Sequence, residues 1–250
     1  MNHLLATTSA LDRARLLAVS APHSSDWLHA LPIASCGLRL ENEDVRVAVG
    51  LRLGTALCKP HQCVCGALVE ANGLHGLSCK LGSVRHARHN TINDLVARAL
   101  SRAEVPCIKE PAGLSRSDGK RPDGLTLIPW KSGKSVVWDV TVTDTLAPTY
   151  VNISSQEAGK AAELASARKE VKYAELSKNH VFVPIAIESF GPICSDGFVF
   201  LRELGQRLTA ISGDSRELSF FLQRLSVTLQ HFNCALFKNT FADHTCDDAD

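Results

Sequence analysis

Three cysteines and a histidine stand close together, in the order Cys63-x-Cys65-x9-His75-x3-Cys79. Zinc takes four soft or borderline ligands in a tetrahedron, and two short pairs joined by a turn supply them. Gly66, Gly73 and Gly76 let the chain wrap closely around an ion. The Cys-x-Cys bite is tighter than the usual Cys-x-x-Cys, so Cys58 or His61 is an alternative ligand. The stretch is short and poor in large apolar residues, so a structural Zn2+ is what folds it. Four filled positions leave no vacancy for catalysis.

A second set of residues suits a harder cation. Arg121-Pro122-Asp123-Gly124 precedes one strand candidate, and Asp139 lies in the next. If Asp123 opposes Thr141, then Leu125 faces Asp139, and the two carboxylates become diagonal neighbours on one face, roughly 7–8 Å apart or less. Such a pair holds a divalent ion such as Mg2+. A register slip of one residue separates them, and Pro-Asp-Gly by itself reads as an ordinary turn. A long helix over 156–178 carries Ala158, Ala162, Ala165, Lys169, Lys172, Tyr173 and Leu176 in one stripe. A lysine on an inward face is costly unless it meets an anion, so these two point at a carboxylate pair or a phosphate. A lysine snorkelling at the edge of the stripe is the alternative.

The elements that must position these groups follow from periodicity and turn residues. Ser24-Ser25-Asp26 caps a short helix with Trp27, Leu28 and Leu31, ended by Pro32. A helix over 91–103 has Ile92, Leu95, Val96, Ala99 and Leu100 on one face. Strands are expected over 105–109, 125–130, 135–142 and 181–187, with Lys131-Ser132-Gly133-Lys134 as a hairpin turn. Helices over 198–212 and 217–232 close the chain. The order helix, three strands, helix, strand predicts an α/β fold, a small central mixed sheet flanked by helices. Four regions result: a helical linker over 1–57, a zinc knuckle over 58–84, the α/β domain over 85–238, and an acidic frayed tail over 239–250.

Lys and Arg number 27 against 26 Asp and Glu, so net charge alone names no partner. Between Arg52 and Lys134, however, thirteen Lys/Arg face six Asp/Glu, and four histidines lie among them. A basic segment inside a neutral chain suits nucleic acid, though a solvated basic face has the same composition. The longest apolar run, 181–187, is too short to span a bilayer and holds Pro184, so no membrane is expected. Asp12, Arg13 and Arg15 break any export signal at the start. Nine cysteines without such a signal predict reduced thiols, in cytosol or nucleus.

Pro122-Asp123, Asp139 sixteen residues on, and then Lys169-Glu170-Val171-Lys172-Tyr173 together resemble the restriction-enzyme-like endonuclease of site-specific non-LTR retrotransposons. That endonuclease belongs to the PD-(D/E)XK class and follows a Cys-Cys-His-Cys knuckle, as the quartet at 63–79 does here. The likeness runs from about Trp27 to the closing helices, and its specific motifs lie between Cys63 and Tyr173. It implies a PD-(D/E)XK restriction-endonuclease-like fold and metal-dependent DNA nicking. Asp123, Asp139, Lys169, Lys172 and Tyr173 would be the catalytic set. Mg2+ would sit on Asp123 and Asp139, with Glu110 as a third carboxylate and the Val140 carbonyl as a further ligand. Arg85, Arg88, His89, Lys120 and Arg121 would bind the nucleic-acid backbone. DNA, and in the family the element's RNA, is the implied partner, and the nucleus the implied compartment after synthesis in the cytoplasm.

Two departures qualify the resemblance. Many nucleases of the class carry lysine two residues after the second acid, where Thr141 stands; the retrotransposon branch takes it from the next helix, which assigns the role to Lys169. No reverse transcriptase fits in 250 residues, so the expectation is a detached C-terminal portion. An inactive nucleic-acid-binding remnant, or a co-opted zinc-stapled interaction module, is the competing expectation.

Overall fold

A computed structural model describes residues 8–81, 84–114 and 120–241. Helices α1 (Ala10–Ser20) and α2 (Asn42–Leu53) come first, followed by a two-stranded ribbon, β1 (His61–Gln62) with β2 (Leu68–Val69), and the one-turn helix α3 (His75–Ser78). Helix α4 (Val84–Arg102) leads into strands β3 (Cys107–Lys109), β4 (Gly124–Thr126) and β5 (Val136–Thr143). A short turn of helix, α5 (Val151–Ser154), precedes α6 (Lys160–Lys172) and strand β6 (Val181–Glu188). Helices α7 (Ser195–Ser212) and α8 (Glu217–Lys238) are the last elements among the described residues.

The protein is mixed α/β. Its main sheet has the order β3-β4-β5-β6, antiparallel at the first two steps and parallel at the last. Alternation along the strands divides the faces. Val136, Trp138 and Val140 of β5, with Val183, Ile185 and Ile187 of β6, join the main core against α4, α7 and α8. The residues between them face α6, where Ala162 and Ala165 pack on Ala186 and Cys194. Small side chains bring that helix close to the sheet. Pro184 is accommodated because β6 is an edge strand, where a missing N–H breaks no ladder.

Two elements are shorter than periodicity suggests. Strand β4 stops at Thr126, not at residue 130, because the Thr126 hydroxyl accepts the Val136 N–H at 2.9 Å where a ladder carbonyl would. Helix α6 begins at Lys160, not 156, because Gly159 takes a left-handed conformation (φ 82°) just before it. Its first turn is anchored instead by Glu188, whose Oε1 accepts the N–H groups of Ala161 and Ala162 at 3.0 and 3.2 Å. Burial pushes the Glu188 carboxyl up from its usual 4.5. The folded state then holds this proton more tightly than the unfolded chain does. The ionised form is the costly one: its penalty is full above the raised pKa and absent below the usual value. Glu188→Gln retains the capping oxygen, so it is expected to raise the thermal midpoint by roughly 2–4 °C at pH 8. The gain should fade in melts taken as pH falls toward 4.5.

Residues ahead of the knuckle are part of the packed body. Ala14 and Ala18 of α1, with Val47 and Leu51 of α2, form a second core with Leu77, Cys234 and Phe237. The helix expected at Ser24-Ser25-Asp26 is a single 3-10 turn, Asp26–His29, and it rests on α8. Of the tail expected over 239–250, Thr240 is buried and Phe241 stacks on His61; residues from 242 on lie outside those described. Among the described residues no helix is long and apolar enough to cross a membrane.

Candidate metal centre and phosphate groove

The register of the β4–β5 hairpin decides where the two acids lie. Gly124 pairs with Trp138 and Leu125 with Val137, two residues away from the expected pairing, so Asp123 comes level with Asp139 instead of diagonal to it. A shift of two preserves the face. Asp123 in fact brackets Asp139: its N–H donates to the Trp138 carbonyl at 3.0 Å, and its Oδ2 accepts the Val140 N–H at 2.6 Å. Gly124 is required here, since a Cβ would lie 2.0 Å from the Trp138 ring. From α6, Lys169 donates to both Asp139 oxygens, at 2.8 and 3.1 Å. Asp139 is 3% exposed. Burial, and then the charge of Asp123, push its carboxyl up, while Lys169 pulls it back.

Helix α4 supplies the groups that hold Asp123. His89 Nε2 lies 2.9 Å from Asp123 Oδ2, and that hydrogen bond holds the imidazole above its usual pKa. One turn on, Asn93 accepts the Trp138 indole N–H at 2.8 Å and donates to the Asp123 carbonyl at 3.3 Å. His89, Asp123 and Asp139 each present a ligand atom within 4.8 Å of the others. Their donor set suits a divalent cation.

The remaining residues singled out from sequence fall in several places. Tyr173 is buried; its hydroxyl donates to the Arg121 carbonyl at 3.0 Å and accepts from Lys172 Nζ at 2.8 Å. It pins the Arg121-Pro122-Asp123 segment from the side opposite α4, which makes it a positioning residue. Glu110 is exposed with φ 47°; its N–H bonds the Asp123 carbonyl at 3.0 Å, and its carboxylate is outside the triad that His89 completes. Arg88 is corrected from a backbone contact to a buried group. It is 3% exposed, reaches Asn233 Oδ1 at 3.4 Å, and burial lowers its pKa to about 10. Arg88 shares the inward stripe of α4 with Ile92, four residues on. Arg85, Lys120 and Arg121 are exposed.

A groove of about 460 Å³ opens over Lys169 and the second half of β5. Lys80, Arg85, His86 and His89 line it together with Lys169, and the buried Arg88 reaches its floor. Cations along such a groove attract phosphates.

The cysteine and histidine quartet forms a second centre. Cys63, Cys65, His75 and Cys79 bring their ligand atoms within 4.8 Å of one another and could bind zinc. Cys63 and Cys79 sulfurs are 3.7 Å apart, against ~3.8 Å for two thiolates on a tetrahedral ion with 2.3 Å bonds. Cys65 Sγ and His75 Nε2 are 3.2 Å apart, a little inside the ~3.6 Å of a sulfur–nitrogen edge. Burial pushes the Cys63 thiol up to about 11, a cost that a bound dication reverses. The alternatives are engaged elsewhere. Cys58 Sγ contacts the Glu70 and Ala71 carbonyls, and His61 Nε2 meets the Thr240 hydroxyl at 2.9 Å. The knuckle is also seated on α8: a Cβ on Gly76 would come within 2.9 Å of the Leu236 carbonyl oxygen.

No protein-family model matches the chain, and no curated protein matches it significantly.

Proposed function

We propose that the protein is a metal-dependent DNA endonuclease of the PD-(D/E)XK type, akin to the nicking domain of non-LTR retrotransposons and acting on nuclear DNA. The observation that carries this reading is the meeting of Asp123, Asp139 and Lys169 on one face of the sheet beneath a basic groove.

Asp123 and Asp139 would hold Mg2+, and they fit it: two carboxylates face one point and balance two positive charges. A divalent ion there would lower the pKa of a water and draw charge from the scissile phosphate. The protein's own groups do the rest. Lys169, kept beside Asp139, offers a fixed positive charge where the pentavalent phosphate becomes more anionic. Lys80, Arg85 and His86 hold the flanking backbone phosphates along the groove. Tyr173 and Asn93 act one step back, by fixing the Asp123 segment.

The test is nicking of supercoiled plasmid by zinc-loaded protein, with magnesium supplied or withheld. Conversion to open circles only with magnesium supports the reading. Binding without conversion would leave the inactive-remnant alternative. Affinity that ignores salt would leave an interaction module, since phosphate contacts weaken as salt rises. Arg85→Ala is expected to weaken binding uniformly across DNA sequences and to reduce the salt slope by about one.

A further inference from the structure

We propose that His89 is a ligand of the divalent ion, and that the centre prefers manganese to magnesium as a result. This deepens the nuclease reading and rests on its metal-dependent part.

Three observations lead there. First, the imidazole occupies the third position around the acids, with Nε2 2.9 Å from Asp123 Oδ2 and the three donor atoms mutually within 4.8 Å. Second, its other nitrogen is already committed. Nδ1 faces the Asn90 side-chain oxygen at 3.2 Å and can keep its proton there, while Nε2, which donates to Asp123 Oδ2, would give its proton up to an arriving cation. An oriented imidazole of this kind is how metal-ligating histidines are held. Third, the position is rigid. Asn93, one turn further along α4, clamps that helix to both Trp138 and the Asp123 carbonyl.

Charge gives the arrangement a purpose. Two carboxylates neutralise a dication and leave the Lys169 charge in excess for phosphate, whereas a third would cancel it. A neutral imidazole adds a donor without that charge. Glu110, just past the end of β3, stays exposed and outside the triad. Nitrogen ligation also changes the choice of ion. Both ions accept carboxylate and water, but magnesium demands a near-ideal octahedron and gives up its waters reluctantly, so exchanging one for an imidazole costs it more than it costs manganese.

Manganese is the probe, because it is paramagnetic and its coordination can be read without turnover. In zinc-loaded wild type, pulsed electron paramagnetic resonance should detect imidazole nitrogen modulating the bound Mn2+ signal. His89→Ala should lose that modulation and at least roughly tenfold in Mn2+ affinity. His89→Asp, which restores an oxygen donor, should bind Mn2+ without the modulation and show a lower ratio of manganese- to magnesium-supported nicking. Modulation that persists in both variants, or is absent from wild type, overturns the inference. Nicking that remains while wild type lacks the modulation removes only the His89 assignment. A wild type that neither binds Mn2+ nor nicks removes the nuclease reading with it.

Discussion

Asp139→Asn is expected to lower the rate of metal-supported nicking by roughly 10²–10⁴-fold, the several kcal/mol that a held divalent ion contributes. The same change should leave the thermal midpoint at or above that of wild type. Asp139 is a liability to the fold, since burial and the facing Asp123 both penalise its charge, and Lys169 offsets that in part. An amide keeps the shape and removes the repulsion. Lys169 loses its partner, but its side chain is 23% exposed and reaches water. Single-turnover nicking, a thermal melt and fluorescence anisotropy on labelled DNA read the three consequences separately. A midpoint that collapses along with activity would reassign the residue to structure. Undiminished nicking would remove it from the centre altogether. The trade of stability for activity is the pattern expected where a site concentrates like charges.

Cys79→Ser should have the largest effect on the fold. The sulfur is buried and 3.7 Å from Cys63, and Ser supplies a poor zinc ligand. Zinc content by elemental analysis should fall from one ion per chain to near none. Stability should fall by about 4–5 kcal/mol or more, which for a chain of this size is ~10 °C or more in midpoint. The damage is expected to spread beyond the knuckle. Leu77 lies in the second core with Cys234 and Phe237, and Gly73 and Gly76 give α8 its close approach. Lys80 follows the last ligand directly and lines the groove, so DNA affinity should drop as well. A serine variant with wild-type zinc content and melting would show that the quartet holds no metal.

Much of this architecture was legible because alternation and spacing are local. The knuckle quartet is read from four positions. The strands around Val136–Thr143 and Val181–Glu188, and the Ala-rich stripe opposite them, follow from short windows. The pairing of Asp123 with Asp139 was displaced by two residues yet kept the same face, since the side-chain period is two. Arg88 was misplaced although a signal existed: it precedes Ile92 by four and Leu95 by seven, on the inward stripe of α4. The contact of His89 with Asp123 was hidden by its basic neighbours, which read as a phosphate-binding cluster. The clasp between Tyr173 and the Arg121 carbonyl joins residues 52 apart, and no local pattern announces such a contact. The edges of α6 and β4 depended on a left-handed Gly159 and on a hydroxyl standing in for a carbonyl, which periodicity does not register.

The parallel step between β5 and β6 has a temporal consequence. Asp139 lies in β5 and Lys169 in the crossover helix α6, and that crossover closes only when Val136–Thr143 finds Val181–Glu188, some 45 residues downstream. Helix α6 packs more extensively on β6 than on β5, so its final seat beside Asp139 forms only after that strand has emerged. On the nuclease reading, a half-made copy lacks the frame that seats this lysine, and cutting waits for that strand.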